Sequence, residues 1–409
     1  MSKIKIKNFG PIKEGFLGGD GFMDVKKVTV FIGNQGSGKS TIAKVISSLT
    51  WLEKAINRGD VDKGRLSHVY FYEIFKYQRI KSYFKENTTI EYEGEKMNIR
   101  YSKDLKYPTI EIKDNAEFKV PKIMYVPAER NFLSVVKNAF GAKNLPYTLY
   151  TFAEELRKGQ LELNNKLLEL PIGDIKYKFN EENETSYIVG KDFELDLLES
   201  SSGYQSLVPL YLVTKFLTDE LKKGENVLRE QLNVEQSVRR NNEIAKIMFD
   251  EAFSEAQKSE KVKQVDKRYL NTCFTNIVEE PEQNLFPTSQ KSMLESLLEF
   301  NNMNEGNKLI MTTHSPYLIN YLTLTVKAEM VKSKLNSEEE LNKLAKIVPL
   351  QSTVKADELI IYELNEIDGT IKKLEDYKGL PSDDNELNSK LEDSNELFAQ
   401  LQEIEKGWR

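Results

Sequence analysis

The chain has 409 residues, of which 39% are hydrophobic and 30% charged, with a formal net charge of −6. That length is ample for a large core in two to three lobes, and the charge balance does not mark a strongly basic nucleic-acid binder, though it leaves room for a local basic patch. A single cysteine, Cys273, excludes an intrachain disulfide, and with two histidines in all a zinc site is not expected.

The N-terminus, Met1-Ser2-Lys3-Ile4-Lys5-Ile6-Lys7, alternates charge with isoleucine and lacks the apolar core of a secretion signal. No window reaches the roughly 18 apolar residues of a membrane span, so the expected compartment is the cytoplasm, with no membrane partner. Lys3–Lys7 reads as a strand by its period of two. Val28–Ile32 is a continuous apolar run suited to a buried central strand; a glycine-rich turn follows, then a helix expected from Lys39 to Ile56. Strands are expected at Thr88–Glu93, Met97–Tyr101, Thr109–Lys113 and Ile123–Val126, the first ones forming a meander that decorates the main sheet. From Phe132 to Leu168 the apolar spacing is helical. Strands are predicted at Ile175–Phe179 and Ser186–Leu197, and a helix starting near Gly203. Residues 222–267 are polar, charged and helical in pattern, either a solvated surface insertion or a partner-binding arm. Strands near Cys273 and at Leu309–Met311 follow, then two strands around an Asp368-Gly369 turn. The tail from Asp384 reads as an acidic amphipathic helix.

Gly33-Asn34-Gln35-Gly36-Ser37-Gly38-Lys39-Ser40 fits GxxxxGK[ST], the P-loop. Glycines let consecutive backbone N–H groups converge on phosphate oxygens, and the helix that begins there adds its positive end. Lys39 supplies a point charge to the terminal phosphates, and the Ser40 hydroxyl suits Mg²⁺. Downstream, Asn276-Ile277-Val278-Glu279-Glu280-Pro281-Glu282 places two carboxylates at a strand end. The first suits a metal held through water and the second a general base for water. Leu309 to Thr313 leads a strand into His314, whose neutral imidazole can both accept and donate near a terminal phosphate. Glu199-Ser200-Ser201-Ser202-Gly203-Tyr204-Gln205-Ser206 makes a second anion-binding helix N-terminus, although Ser-Gly before a helix is also an ordinary cap.

In this order, P-loop, SSGYQ, IVEEPE and TTHSP, the motifs resemble those of ABC-type ATPases of the SMC, RecF and OLD branch. Among these, the chain is similar to the short ATPase subunits of bacterial anti-phage systems of the Septu and PARIS type. The resemblance spans residues 1 to about 320. It implies an α/β fold: an ABC-type P-loop ATPase with a mixed central sheet, a helical signature lobe and a small C-terminal α+β cap. The implied divisions are an N-terminal ATPase lobe with the P-loop (1–131), a helical and β arm leading to the signature (132–202), a lobe with the signature helix, the charged insertion, Walker B and the switch histidine (203–325), and the cap (326–409). The implied cofactors are ATP and Mg²⁺, and the implied activity is ATP hydrolysis. Gly33, Asn34, Gln35, Gly36, Ser37, Gly38, Lys39, Ser40 and Thr41 would line the nucleotide. Ser202, Gly203 and Gln205 of the signature would reach the γ-phosphate bound by another copy. Glu280 would be the base, with His314 and Lys39 as its catalytic companions. Ser40 and Glu279 would serve the metal, as would Glu129, which stands where the family has a glutamine. A surface ion pair between Glu129 and Arg130 is the plainer reading of that spot. Glu282 to Leu285 would be the D-loop across a dimer. Glu279 replaces the commoner aspartate, and Tyr204 the second signature glycine.

The resemblance further implies a self-associating ATPase that acts as sensor or regulator of a separate effector, such as a nuclease or toxin. The competing reading is a DNA-repair ATPase of RecF type that clamps duplex DNA. A transporter motor is a third. No Toprim or HNH nuclease constellation appears beyond His314, so the chain itself is not expected to cut nucleic acid.

Overall fold

The computed structural model describes residues 1–113, 117–136, 144–224 and 232–406. Parts of three expectations lie outside these residues: positions 137–143 of the predicted helical stretch, 225–231 of the charged insertion, and the last three residues of the tail.

The fold is α/β and is organised around a mixed seven-stranded sheet. Its order is Gly15–Phe16, Thr370–Lys373, Leu359–Leu364, Val28–Gly33, Lys308–Thr312, Cys273–Glu279 and Pro121–Val126. The last five are mutually parallel, and Thr370–Lys373 runs antiparallel to Leu359–Leu364. The P-loop strand Val28–Gly33 is buried along its whole length, with neighbours on both sides. That explains its uninterrupted apolar run, because a strand covered on both faces has no polar side.

Two cores form on the two faces of this sheet. Val28, Val30 and Ile32 pack on one side, with residues of the helices Tyr147–Leu163, Ser202–Lys222, Pro287–Asn302 and Pro316–Lys332. Phe31, Ile277 and Ile310 face the other side, with Ile42, Val45, Ile46 and Leu49 of the helix Lys39–Arg58. Alternate side chains of a strand point to opposite faces, so one strand feeds both cores.

The N-terminal meander is a sheet in its own right and does not extend the central one. Met23–Val25, Ser2–Phe9, Phe84–Glu93, Met97–Ser102 and Thr109–Ile112 pair antiparallel in that order. Its inner residues Ile4, Ile6, Ile90, Tyr92 and Ile99 close the second core. The helical stretch predicted to reach Leu168 ends at Leu163, because Asn164 and Asn165 take left-handed conformations, which asparagine tolerates. Leu168–Glu169 is instead an edge strand. The single strand expected at Ser186–Leu197 is two, Thr185–Val189 and Glu194–Asp196, folded at a turn closed by Gly190 N–H to Phe193 O at 2.9 Å. The charged insertion is a helical hairpin, Val234–Phe249 and Glu255–Tyr269, each helix opened by a capping box, Asn233 with Gln236 and Ser254 with Gln257. It docks on the end of the P-loop helix, where Arg239 donates to Gly59 O at 2.7 Å and to Asp60 Oδ1 at 2.9 Å.

The strands predicted around the Asp368-Gly369 turn are built into the central sheet, with Leu364 registered on Gly33. The helix Glu386–Lys406 follows them, and its Leu397, Leu401 and Ile404 are exposed.

Candidate nucleotide-binding site

The loop after the P-loop strand owes its shape to glycine. Gly33 and Gly38 have φ of 135° and 104°. A Cβ on Gly33 would lie 2.3 Å from Leu364 O, and one on Gly38 would lie 2.5 Å from Ile12 Cδ1. No L side chain meets both constraints. Gly38 caps the helix Lys39–Arg58, which has no acidic residue in its first turn, so the helix end presents N–H groups and positive potential to an anion. Asn34, Gln35 and Gly36 are exposed, Ser37, Gly38, Lys39 and Thr41 are buried, and Ser40 is half-buried. The Ser37 hydroxyl is buried without a hydrogen-bond partner.

Lys39 turns back on its own loop, donating from Nζ to Gly33 O and Asn34 O, both at 2.8 Å. Burial lowers its pKa to about 8, opposed by the charges of Glu280, Glu282, Glu386 and Glu366. The largest opposing charge is that of Glu280, which ties the P-loop electrostatically to the acidic strand end two strands away.

Glu279 and Glu280 behave differently. Glu279 is buried, and its carboxylate is occupied within the chain: Oε1 accepts from Tyr125 OH at 2.5 Å and Oε2 from Ala128 N–H at 3.2 Å. Lys44 lies 3.9 Å from Oε1. Glu280 is the first residue past the strand and has a left-handed φ of 44°. Its side chain is partly exposed, with Oε1 3.8 Å from His314 Nε2. His314 has its pKa lowered, first by burial and then by the charge of Lys39, so its imidazole is neutral at neutral pH. Strand Lys308–Thr312 lies between the P-loop strand and Cys273–Glu279, which brings both chemical strand ends beside the P-loop.

Glu282 lies in the loop that follows the acidic strand. Its Oε1 accepts from Thr313 Oγ1 and from His314 N–H, both at 2.8 Å, and thereby fixes the histidine loop. Oε2 is buried and unpartnered, and burial raises the pKa of this carboxyl.

Ser202 lies at the start of the helix Ser202–Lys222 and, like Ser201 before it, is exposed; Ser201 makes no side-chain cap. Gly203 packs on the loop after the acidic strand, where an added Cβ would lie 3.1 Å from Asn284 O. Gln205 does not face outward: its amide donates to Leu197 O, Leu198 O and Ser200 O at 2.9–3.3 Å, which holds the turn.

Glu129 is exposed. The surface ion pair weighed for Glu129 and Arg130 is overturned, because Arg130 is fully buried. The physical reason is its set of acceptors: Arg130 is bonded to backbone carbonyls of Pro127, Ser206, Glu279 and Glu280. Sequence reasoning also missed the C-terminal contribution. Glu366 accepts from Asn34 Nδ2 at 2.9 Å, and Glu386 adds charge near Lys39.

The donor set fits a sparsely held Mg²⁺. Among the described residues no cluster of three or more His, Cys, Asp or Glu could hold a metal. Mg²⁺ at a phosphate site needs only a hydroxyl or one or two carboxylates, the rest coming from phosphates and water. Ser40 at the helix start and Glu279 through water are the residues available to it.

An AAA ATPase domain model matches residues 142–319, a stretch that holds the signature-type turn, the acidic strand end and His314. No curated protein sequence matches. Solved structures similar to the chain include the SMC head domain from Thermotoga maritima, at 10% identity and TM-score 0.38, covering 92% of this chain and 98% of that one. Another is the Smc head domain of Pyrococcus furiosus bound to the C-terminal domain of ScpA, at 9% identity and TM-score 0.40, covering 98% and 100%. A third is the dimeric ATP-binding cassette MJ0796 with ADP and phosphate, at 13% identity and TM-score 0.31, covering 92% and 100%. No described helix is long and apolar enough to cross a membrane. The fold is α/β with a mixed central sheet, and part of the chain, residues 142–319, is similar to an AAA ATPase domain.

Proposed function

We propose that the protein binds Mg-ATP on the loop Gly33–Ser40 and hydrolyses it in composite sites completed by Ser202 and Gly203 of a second copy. The observation that carries this reading is the convergence of Lys39, Glu280 and His314 at one edge of the sheet. Glu280 faces His314 at 3.8 Å and provides the largest opposing charge felt by Lys39.

The chemistry balances with these residues. Water oxygen bonds to the γ-phosphorus while its proton passes to the Glu280 carboxylate, and the bond from that phosphorus to the bridging oxygen breaks to release ADP. Neutral His314 offers one nitrogen as acceptor and the other as donor beside the γ-phosphate. Lys39 exchanges its loop carbonyls for phosphate oxygens. Mg²⁺, when bound, would neutralise charge on those oxygens. The exposed helix start at Ser202 supplies N–H groups with no cap of their own, which suits a phosphate brought by another copy.

A site split between two copies makes ATP a clamp that closes, with hydrolysis opening it again. Such a switch suits a sensor or regulator that holds a separate effector, and the motif order supports a place in anti-phage defence. The test is the solution mass of Glu280→Gln with and without Mg-ATP. A nucleotide-dependent rise to at least twice the mass of the chain is expected. A monomer under both conditions refutes the composite site.

A further inference from the structure

Arg130 sits where the strand Pro121–Val126 ends, in the short helical turn Ala128–Asn131. No part of it reaches solvent. A buried guanidinium carries five donors and a charge it cannot shed, so each donor needs an acceptor. Arg130 makes four hydrogen bonds, all to backbone carbonyls. Nη1 donates to Glu279 O and Nη2 to Glu280 O, both at 2.7 Å. Nε donates to Ser206 O at 3.2 Å, and Nη1 also reaches Pro127 O at 3.4 Å. The carboxylates of Glu282, Glu280 and Glu279 balance the charge that burial opposes.

Two of these acceptors belong to the peptides on either side of the Glu280 Cα. That residue has φ of 44°, a left-handed conformation that is strained for glutamate and persists only where its surroundings enforce it. Glu280 N–H is held by Thr312 O at 2.9 Å. Arg130 holds the carbonyls on both sides of the same turn in one planar fork, a geometry that a lysine cannot reproduce. Ser206, the third acceptor, also receives Asn284 Nδ2 on its hydroxyl at 2.9 Å. The fork therefore braces the acidic turn against the first turns of the signature helix.

We infer that Arg130 is a positioning residue for hydrolysis: by bridging the carbonyls of Glu279 and Glu280 to Ser206 it fixes the left-handed turn that aims the Glu280 carboxylate. The inference rests on the proposed role of Glu280, while the bracing itself is readable without turnover. The hydrogen bonds of Arg130 all end on backbone carbonyls outside the nucleotide loop, so its loss should leave Lys39 and the P-loop in place.

The experiment compares wild type, Arg130→Lys and Arg130→Met for amide exchange, Mg-ATP affinity and kcat. The amides of Glu280, Gln283 and Leu285, each bonded within or across this turn, should exchange at least tenfold faster in Arg130→Lys, while the helix Lys39–Arg58 stays unchanged. The Kd for Mg-ATP should stay within about threefold, and kcat should fall at least thirtyfold. Combined with Glu280→Gln, Arg130→Lys should lower kcat no further, because it acts only through that side chain. If Arg130→Met does not fold, the lysine variant carries the test. Unchanged exchange in the turn overturns the inference, as does a lysine variant with wild-type kcat, or an additive loss in the Glu280→Gln background. Wild type that does not hydrolyse ATP, with exchange in the turn still governed by Arg130, removes the proposed function and leaves the bracing standing.

Discussion

Replacing Lys39 by methionine separates what the lysine costs the ligand-free protein from what it supplies to ATP. Burial brings its pKa from 10.5 to about 8, which corresponds to about 3 kcal/mol against the charged form in the fold. The two bonds to Gly33 O and Asn34 O return roughly 2 kcal/mol, as bonds from a charged donor do. Lys39→Met should therefore be more stable than wild type at neutral pH by about 1 kcal/mol. Between pH 8 and 10.5 the unfolded chain binds the proton and the folded chain has lost it. Wild-type stability thus gains from Lys39 as pH rises through that window, and the advantage of the methionine variant shrinks. ATP reverses the ranking. At one hundred times its Kd, Mg-ATP should stabilise wild type by about 2.7 kcal/mol. Loss of a charge-assisted phosphate contact weakens binding about a hundredfold, leaving the variant about 0.4 kcal/mol at the same concentration. Denaturant unfolding at pH 7 and pH 9.5, with and without Mg-ATP, reads all of this. A ligand-free Lys39→Met less stable than wild type by more than about 2 kcal/mol, or equal stabilisation of both proteins by ATP, refutes the reasoning.

Two further outcomes are expected. His314 has its pKa lowered below 6.5 by burial and by Lys39. The imidazole therefore stays neutral past that point, and the acid limb of kcat should lie below pH 6.5. His314→Ala should abolish that limb and lower kcat by about a hundredfold; a limb that persists in the variant assigns it to another group. Ser202 is exposed at a helix start, so Ser202→Arg should leave the unfolding midpoint and Mg-ATP affinity unchanged. It should remove both the mass shift and at least 99% of turnover, and a fully active Ser202→Arg would exclude the signature turn from the site.

The local devices were legible because they are written in consecutive residues. The glycine spacing of Gly33–Ser40 admits few backbone paths, and the apolar run before it reads directly as a strand covered on both faces. The Asp368-Gly369 turn and the capping residues of the charged hairpin are local in the same sense. Boundaries failed where a local exception cut a longer pattern, as Asn164 and Asn165 did after Leu163 and as the Gly190 turn did between two strands. Arg130 was misjudged for a different reason. Arginine is usually exposed, and nothing adjacent to it shows that backbone carbonyls of two distant segments, at Ser206 and at Glu279 and Glu280, will close around it.

What the sequence alone determined is the set of chemical groups and the order in which they arrive: a phosphate-binding turn, a serine-glycine helix start, a pair of carboxylates and a histidine, each at the end of a strand or the start of a helix. Only the tertiary structure decided which of them lie together. Strand order sets the His314 strand between the P-loop and the carboxylates, and pairs Leu364 with Gly33 so that Glu366 reaches Asn34. It turns Glu279 inward onto Tyr125 and leaves Glu280 facing His314. The physical reason is that sheet pairing and burial act between residues hundreds of positions apart, and the bonds that satisfy a buried group are fixed only when the layers close.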